Sequence, residues 1–313
     1  MSAGRTIHLA CAIERDYAPH CAAMLLSALY HRGDANLHVH LMHPPELAAA
    51  EREPLAEMVA TEGGRISFLE VPDEQVAGFP IEGFTRKATW YRIFLPDMLP
   101  EVDRALYLDA DAIVLDDLLP LWETELDGAL LGAVTNTLQW NHTHHPQYIG
   151  MPEGVEYFNA GVLLLDLERM RREQTSQALR EFTVANAARL EWRDQDALNL
   201  VLATRRHHLH PRWNVMTSVL LFPWAADAFG AEAVEEARRS PAIRHFEGPS
   251  FNKPWHYLCD LEMRERYLEL RRRTPWPRYR LEGRTPGNVA RRMIRELRGR
   301  PQVVVPERPG IRP

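Results

Sequence analysis

Short, strongly apolar segments alternate along this chain with longer segments in which apolar residues recur every three or four positions. The first pattern predicts strands and the second predicts amphipathic helices. We predict strands at Thr6–Ile13, Leu37–Met42, Arg65–Val71, a segment ending at Asp109, Leu130–Thr135 and Gly161–Asp166. We predict helices at Ala18–Tyr30, Glu46–Ala60, Thr89–Met98, Glu168–Leu190 and Asp196–Ala203. Strands that alternate with helices indicate an α/β fold, with a mostly parallel central sheet covered on both faces.

The composition is that of an ordinary globular protein. The chain has 313 residues, 45% hydrophobic and 26% charged, enough to bury a sizeable core. No apolar run reaches the roughly 18 residues that would span a bilayer. The N-terminus lacks the basic start and apolar core of a secretory signal. The three cysteines have no metal-binding spacing and fit a reducing compartment, so we expect a cytoplasmic protein.

Charge is unevenly distributed along the chain. The net charge is −6, yet residues 271–313 contain thirteen arginines against three glutamates, a local balance of +10. We therefore predict a folded domain at residues 1–270 and a basic C-terminal tail at residues 271–313. The acidic remainder argues against nucleic acid as the partner, whereas a basic tail suits an anionic surface.

Part of the tail has the pattern of an amphipathic helix. Arginines occupy most of its polar face, which is typical of a helix lying on an anionic membrane. We therefore expect peripheral attachment at the inner face of the cytoplasmic membrane, with a solvated helix or a disordered end as the alternative. The apolar face consists of Val289, Ala290, Met293, Ile294 and Leu297.

The most informative motif is Asp109-Ala-Asp111, which ends the apolar run Leu106–Leu108. Carboxylates at the end of a buried strand are costly without a partner, and a divalent cation is the obvious one. In an α/β chain this indicates a metal that holds a phosphorylated ligand at the carboxyl edge of the sheet. Two aspartates in a turn are also common by themselves, so the interpretation depends on the other segments.

Four further segments carry chemistry that fits such a site. Glu14–Tyr17 follows the first strand, where doubly wound folds often bind nucleotides. Tyr157–Gly161 leads a polar turn into a buried strand. Arg193–Asp196 lies at a predicted helix start, where aspartate is also a routine cap. His245–His256 combines a metal-capable imidazole, a flexible glycine and Lys253, one of only two lysines in the chain.

With these segments in this order, the sequence resembles glycosyltransferase family 8, and within it the bacterial lipopolysaccharide galactosyl- and glucosyltransferases. The resemblance runs from about Thr6 to Asp260. It implies the GT-A fold, a single Rossmann-like nucleotide-binding domain. It also implies transfer of a hexose, galactose or glucose, from a UDP-sugar to a glycan or lipid-linked glycan acceptor, with retention of configuration. Its markers are Leu106–Asp111, Leu121-Trp122, Phe158–Leu164, Asp194–Asp196, and His245 with Gly248 and Lys253–Trp255.

The resemblance assigns binding roles to individual residues. Asp109, Asp111 and His245 would bind Mn²⁺, with Mg²⁺ as a substitute ion, and two hard oxygens with one imidazole suit manganese. Lys253 would contact the diphosphate, where a compact ammonium fits better than a guanidinium fork. The other implied nucleotide- and sugar-binding residues are Ala12, Glu14, Asp16, Tyr17 (stacked on uracil), Arg92 (at the donor sugar), Ala110, Asn136, Ala160, Gly161 and Gly248.

Three residues would lie at the reacting carbon. Asn159 would hydrogen-bond the sugar or the acceptor, Asp194 would hold a sugar hydroxyl, and Gln195 would lie beside the reactive carbon. An amide is a poor nucleophile. We therefore expect the acceptor to attack the sugar on the same face from which the leaving group departs. This mechanism differs from the two-carboxylate scheme of retaining glycosidases.

Some features leave the function open in detail. Glu14 stands where relatives commonly carry aspartate, which leaves its contact with the base undetermined. Asn136 stands where the galactosyltransferases carry an aspartate that faces the sugars, which leaves the identity of the donor or the acceptor undetermined. Transfer to a protein or a soluble glycan is an alternative, and so is an inactive nucleotide-sugar-binding protein, against which the intact metal ligands argue. Two histidine clusters, His142–His145 and His207–His210, lack the cysteines and the spacing of zinc sites.

Overall fold

The computed structural model of the protein describes residues 5–81, 86–278 and 280–299. Within them the strands are β1 Thr6–Ala12, β2 Asn36–His43, β3 Arg65–Glu70, β4 Arg104–Leu108, β5 Ala112–Val114, β6 Leu131–Thr135, β7 Phe158–Asp166, β8 Arg206–His208 and β9 Ile243–His245. The α-helices are α1 Ala18–Tyr30, α2 Ala49–Thr61, α3 Leu95–Met98, α4 Leu119–Trp122, α5 His145–Tyr148, α6 Leu167–Arg172, α7 Thr175–Asn186, α8 Asp194–Leu202, α9 Thr217–Leu221, α10 Ala225–Phe229, α11 Ala231–Arg239, α12 Arg264–Arg272 and α13 Pro286–Leu297.

A seven-stranded sheet in the order β3-β2-β1-β4-β7-β6-β8 forms the centre of the fold. Strand β7 is antiparallel to both of its neighbours, and the other adjacent pairs are parallel. The predicted α/β fold with a mostly parallel sheet is therefore confirmed. Because β7 runs in the opposite direction, its first residues lie at the edge where the parallel strands end.

Both faces of the sheet are buried, as expected for parallel strands with helices on either side. On β1, Leu9 belongs to a core cluster that includes residues of α1, whereas Ala10 belongs to a cluster on the opposite face with Trp90 and Tyr107. This alternation is the two-residue period of a strand. It explains why β1 is apolar at nearly every position.

Two helix predictions need correction. The helix predicted at Glu168–Leu190 is wrong as a single element, because Gln174 adopts a left-handed conformation (φ 52°) that ends α6 and begins α7. The segment predicted to be helical at Thr89–Met98 is a 3₁₀ segment over Lys87–Phe94 followed by the short α3. Pro96 has no N–H to continue an α-helical ladder through this region.

Strands β5 and β9 form a separate two-stranded antiparallel ribbon. In its register Ala112 lies opposite His245, and the N–H of Phe246 donates to the carbonyl oxygen of Asp111 (3.0 Å). The ribbon thus joins the segment after β4 to a segment more than a hundred residues later. This pairing brings two of the predicted site segments together.

The predicted boundary at residue 270 falls inside α12. Arg271, only 4% exposed, has its Nη1 at 3.1 Å from both His20 Nδ1 and Tyr267 Oη. Helix α13 contacts the body through Arg292, which donates to the carbonyl oxygen of Tyr257 (3.0 Å). Of the predicted tail, residues 279 and 300–313 lie outside the described residues. No helix in the described ranges has both the length and the apolarity needed to cross a bilayer.

Candidate functional site

The predicted site segments meet at the carboxyl edge of the sheet. The N–H of Asp109, just past β4, donates to the carbonyl oxygen of Gly161 in β7 (2.8 Å). The antiparallel direction of β7 makes this contact, because the start of β7 lies beside the end of β4. The β5–β9 ribbon adds His245 from the far side of Asp111.

Asp109, Asp111 and His245 form a compact cluster of metal-ligating groups. Each offers one ligand atom, and these atoms lie within 4.8 Å of one another. His245 Nε2 is 3.2 Å from Asp111 Oδ1 and 3.8 Å from Asp109 Oδ2. Two carboxylates and an imidazole at this spacing are a donor set that suits Mn²⁺.

Neighbouring side chains orient these three groups. Asp109 Oδ1 accepts hydrogen bonds from Arg92 Nη2 (2.9 Å) and Tyr107 Oη (3.0 Å), which leaves Oδ2 directed toward His245. Asn214 Oδ1 accepts from His245 Nδ1 (3.1 Å). When Nδ1 carries the proton, Nε2 keeps a lone pair for a cation, the arrangement usual for metal-binding histidines.

The charges of the cluster depend on one another. Burial alone raises the pKa of Asp111, but Lys253 and His245 outweigh burial and hold that pKa well below its usual range. Burial alone lowers the pKa of His245, and Asp111 and Asp109 reverse this and raise it. Asp111 is therefore ionised at neutral pH despite its burial, as a metal ligand must be.

Lys253 lies next to the carboxylate cluster. Its ammonium contacts Asp111 Oδ2 and donates to the carbonyl oxygen of Phe246 (2.9 Å). An ammonium has three N–H donors, so one remains beyond these two contacts. Because Lys253 also lines a cavity, this donor is available to a ligand there.

A second group of polar side chains surrounds Gln195 at the start of α8. Gln195 Oε1 accepts from the N–H of Ala160 (3.0 Å) and from Asn159 Nδ2 (3.1 Å). Asn159 Oδ1 accepts from Asn214 Nδ2 (2.9 Å) and from the N–H of Gly161 (3.0 Å). Both acceptor positions of the Gln195 side-chain oxygen are thus occupied, and the orientation of the side-chain amide is fixed.

Asp194 is a buried carboxylate paired with a buried guanidinium. Its Oδ2 lies 3.0 Å from Arg92 Nε, and both side chains are almost inaccessible. Burial raises the pKa of Asp194 to about 7, against the lowering effect of Arg92 and with a further increase from Asp109. Arg92 therefore links Asp194 to the metal-ligand candidate Asp109.

The backbone before Asp194 adopts an uncommon conformation. Arg193 has φ 59° and ψ −128°, a region that non-glycine residues rarely occupy and that costs about 1–3 kcal/mol. Strain of this kind persists where the surroundings demand it, and it clusters at functional sites. Here it sets the direction from which α8 presents Asp194 and Gln195.

Ion pairs connect the residues that were predicted to bind the nucleotide. Arg86 makes two hydrogen bonds to Asp16 (2.6 and 2.7 Å) and lies 3.4 Å from Glu14 Oε2. The guanidinium carbon of Arg86 also lies 4.7 Å from the ring centre of Tyr17. In the structure this guanidinium therefore covers a ring that was predicted to stack on uracil.

Two neighbouring cavities, of about 440 and 450 Å³, open at this edge. The predicted residues that line the first are Ala12, Glu14, Tyr17, Arg92, Asp109, Ala110, Asp111, Ala160, Asp194, Gln195 and Gly248. Those that line the second are Asp109, Asp111, Asn136, Asn159, Gln195, His245, Gly248 and Lys253. The cavities share Asp109, Asp111, Gln195 and Gly248, and both include Trp192.

Two of the predicted site residues, Asp16 and Gly161, line neither of these cavities. Asp16 faces a separate groove with Glu46 and Lys87. Gly161 lies against the ring of His245, so its lack of a side chain makes room for that ring.

Sequence reasoning missed four residues that shape the site: Trp192, Asn214, Arg86 and Tyr107. Trp192 is stacked on His145 with ring centres 3.7 Å apart. Asn214 orients His245 from a segment without any motif. The only available signal was the position of Tyr107 two residues before Asp109, on the same side of the strand.

We expect Gly161→Ala to disturb the metal cluster. A Cβ at Gly161 would lie 2.1 Å from His245 Cε1 and 2.8 Å from both ring nitrogens, so the imidazole must move. We expect Mn²⁺ affinity, measured by calorimetry, to fall ~10–100-fold. Gly287→Ala is the matched control, because among the described residues no heavy atom outside its own helix backbone and chain neighbours lies within 4 Å of the added Cβ. Equal metal affinity in both variants would contradict the assigned position of His245.

Comparison with known proteins gives a consistent result. The sequence matches the family described as Glycosyl transferase family 8 over residues 8–259. It is 28% identical over 276 residues to General stress protein A of Bacillus subtilis (strain 168), covering 86% of this chain and 94% of that protein. It is 22% identical over 218 residues to a lipopolysaccharide 1,2-glucosyltransferase of Escherichia coli (strain K12), covering 68% of this chain and 62% of that enzyme.

Among solved structures, the chain is similar to the galactosyltransferase LgtC in complex with donor and acceptor sugar analogues. The TM-score is 0.76 at 28% sequence identity, and the match covers 86% of this chain and 96% of LgtC. The likeness therefore extends over most of both chains.

Proposed function

Because this chain belongs to glycosyltransferase family 8, we propose that it transfers galactose or glucose from a UDP-sugar to a cell-surface glycan such as lipopolysaccharide. It is a retaining glycosyltransferase with the fold of LgtC. One observation carries the proposal: two cavities meet at Asp109 and Asp111. A donor in one cavity and an acceptor in the other would meet where the glycosidic bond must break and form.

Asp109, Asp111 and His245 are the proposed ligands of Mn²⁺, with Mg²⁺ as a substitute. Their fit to such an ion is supported by the mutual approach of their ligand atoms and by the hydrogen bonds that orient Asp109 and His245. When bound, the ion would offset the negative charge that develops on the departing UDP.

Lys253 supplies the second positive charge to the leaving group. Asp111 and the carbonyl oxygen of Phe246 hold its ammonium, and the third N–H is left for a phosphate oxygen. Asp111 raises the pKa of Lys253 against the lowering effect of burial, so the ammonium stays charged at neutral pH. A charge that is already fixed in place stabilises a developing anion without the reorganisation that water would require.

The nucleotide lies in the first cavity, at the end formed by β1. Ala12, Glu14 and Tyr17 are the proposed contacts of the uridine, and Ala110 and Gly248 allow close approach of the phosphates. Asp16 faces the neighbouring groove, so its proposed role is to hold Arg86 through two hydrogen bonds. Access to the Tyr17 ring requires Arg86 to move from its present position over that ring.

Arg92, Asp194 and Ala160 are the proposed binding residues for the donor sugar. Arg92 holds Asp194 in place (3.0 Å), so the carboxylate can accept a hydrogen bond from a sugar hydroxyl in a fixed orientation. Ala160 leaves room for the ring beside it. Positioning of this kind lowers the barrier by fixing the reacting carbon before the bond stretches.

Gln195 acts by position and polarity. Its side-chain oxygen already accepts hydrogen bonds from Asn159 and from the N–H of Ala160, and an amide is a poor nucleophile. We therefore propose attack by the acceptor hydroxyl on the same face from which UDP leaves, with UDP oxygens taking the proton. Asn159 and Asn136 line the second cavity and are the proposed contacts of the acceptor.

A glycan acceptor suits the second cavity. Trp192 and Phe222 contribute aromatic surface there, beside the polar side chains of Asn136 and Thr217. Flat apolar faces mixed with amides and hydroxyls match the alternating apolar and polar character of sugar rings. The name of the Escherichia coli relative supports lipopolysaccharide as the acceptor class.

Release of UDP is the direct test. UDP-glucose, UDP-galactose and their N-acetyl forms would be incubated with Mn²⁺ or with EDTA, with and without lipopolysaccharide acceptors. We expect one hexose donor to give Mn²⁺-dependent UDP release that increases with acceptor. Binding of UDP by calorimetry without turnover of any donor would instead identify an inactive nucleotide-sugar-binding protein. Turnover only with protein or soluble glycan acceptors would overturn the proposed acceptor.

We also propose that the basic region after residue 270 attaches the enzyme to an anionic membrane that carries the acceptor. On α13, Arg292 and Arg295 face the body, whereas Met293, Ile294 and Leu297 are 58%, 49% and 86% exposed. This leaves an apolar surface beside the exposed Arg291 and Arg298, and a basic residue near an anionic bilayer is worth about 1 kcal/mol.

Replacing Met293, Ile294 and Leu297 together by serine is expected to abolish most co-flotation with phosphatidylglycerol-containing liposomes. UDP release from a soluble donor should be unchanged, because α13 lies outside both cavities. Tyr30→Ser with Val184→Ser is the matched control, since these residues are also exposed and apolar. Full flotation of the α13 variant would refute attachment through this helix.

A further inference from the structure

A group of three histidines lies on the central sheet away from the proposed active site. His8 is on β1, and His38 and His40 are on β2. In the parallel register His8 lies opposite His38, and His40 is two residues further along, so all three rings project from one face. His8 is four residues before Ala12, roughly 13 Å along the strand from the first cavity.

The three rings are close enough to share one ion. Each offers a ring nitrogen, and these nitrogens lie within 4.8 Å of one another. His8 Nδ1 is 2.9 Å from His40 Nε2. In a tetrahedral zinc site with Zn–N bonds of about 2.0–2.1 Å, neighbouring nitrogens are ~3.3 Å apart, so a small outward movement of the two rings admits the metal.

A neighbouring hydroxyl orients one ring as in known metal sites. His38 Nε2 lies 2.8 Å from Ser67 Oγ on β3. Metal-binding histidines usually donate their other ring N–H to such a partner. When Ser67 accepts from Nε2, the lone pair of His38 is on Nδ1.

His40 is the most deeply buried member and is incompletely hydrogen-bonded. It is 3% exposed, and its Nδ1 has no hydrogen-bond partner among the described residues. Buried polar groups in folded proteins are nearly always paired. Its other ring nitrogen, Nε2, lies 2.9 Å from His8 Nδ1, so the contact inside the cluster is the one polar interaction that the described residues offer this ring.

We propose that His8, His38 and His40 form a second metal site, which binds Zn²⁺ through three imidazoles and leaves a fourth position for water. Three imidazoles without a carboxylate favour Zn²⁺ over Mn²⁺, so the two sites differ in the metal they prefer. The partial exposure of His8 and His38 gives the ion access from solvent. This site does not depend on the function proposed above.

The test uses full-length protein carrying Asp109→Asn and Asp111→Asn, which removes the carboxylates of the active site. Zn²⁺ is titrated by calorimetry, and Co²⁺ is followed by its visible absorption, which is intense in tetrahedral sites. We expect one equivalent of Zn²⁺ and tetrahedral Co²⁺ bands. Adding His8→Gln and His38→Gln should weaken Zn²⁺ binding by more than ~100-fold and remove those bands.

His207→Gln with His208→Gln is the matched control, because these adjacent histidines on β8 point to opposite sides of their strand. This control should keep Zn²⁺ binding unchanged. If the His8 and His38 double variant unfolds by circular dichroism, the single His38→Gln variant replaces it, with a smaller expected loss. Undiminished Zn²⁺ affinity in a folded His8 or His38 variant, or no Zn²⁺ binding in the parent, would overturn the proposal.

Discussion

Replacing Asp109 and Asp111 together by asparagine is expected to reduce Mn²⁺-dependent UDP release by about 10³-fold or more. Both carboxylates face the junction of the two cavities, and His245 alone is a weak ligand for a hard cation. The measurement is the initial rate of UDP release at saturating donor, with Mn²⁺ affinity determined by calorimetry. Thermal unfolding would show whether the double variant remains folded.

Asp116→Asn with Asp117→Asn is the matched control for this variant. It removes the same charge from a pair of acidic residues a few positions later. There, Asp116 contacts Arg212 on the surface, and Asp117 accepts from the N–H of Leu119 (2.9 Å). This control should keep turnover within about twofold, as surface charges contribute little. Comparable turnover in the two double variants would mean that Asp109 and Asp111 do not hold the ion.

Lys253→Met is expected to lower kcat by about 10²–10³-fold, the usual effect of removing one fixed donor to a developing charge. The loss should fall mainly on kcat, because the charge on the leaving group increases only as the bond breaks. The side chain of Lys253 is 13% exposed, so water can replace it only poorly. Single-turnover kinetics with the preferred donor would measure the chemical step.

The chain contains two lysines, so the second one provides a matched control for this prediction. Lys87 is the other lysine, and its ammonium forms a surface ion pair with Asp73 (2.8 Å). Lys87→Met changes the net charge by the same amount and should leave kcat within about twofold. If Lys253→Met behaves like Lys87→Met, the ammonium of Lys253 does not assist departure of UDP.

Much of the site could be predicted because its chemistry is local in sequence. The Asp109-Ala-Asp111 motif ends a buried strand, and Asp194 and Gln195 begin a helix, so each pair is positioned by one element. The structure brings these residues to the same edge of the sheet. Their individual roles remain predictions, to be tested by the variants above.

The residues that were missed act through contacts distant in sequence. Asn214 lies in a segment without a motif, directly before Val215, which bridges to Arg244 of β9. Arg86 reaches Asp16 and Tyr17 across seventy residues of chain. The break at Gln174 was missed because apolar periodicity continues through a residue that leaves the helical conformation.

The histidines of the proposed zinc site show the same limit. His38 and His40 are two residues apart, but His8 is thirty residues earlier, a spacing that matches no metal motif. Only the parallel register of β1 and β2 places them on one face. The clusters noticed in the sequence, such as His207 and His208, alternate across their strand and cannot converge.

The sequence by itself determined the fold class, the family resemblance and the chemical character of the site, because periodicity and short motifs depend on neighbouring residues. The tertiary structure decided that β7 runs antiparallel, which places Gly161 beside Asp109. It also decided that β9 pairs with β5, which places His245 beside Asp111. Such pairings are selected by the packing of the whole core and by closure of long loops. No local pattern in the chain contains that information.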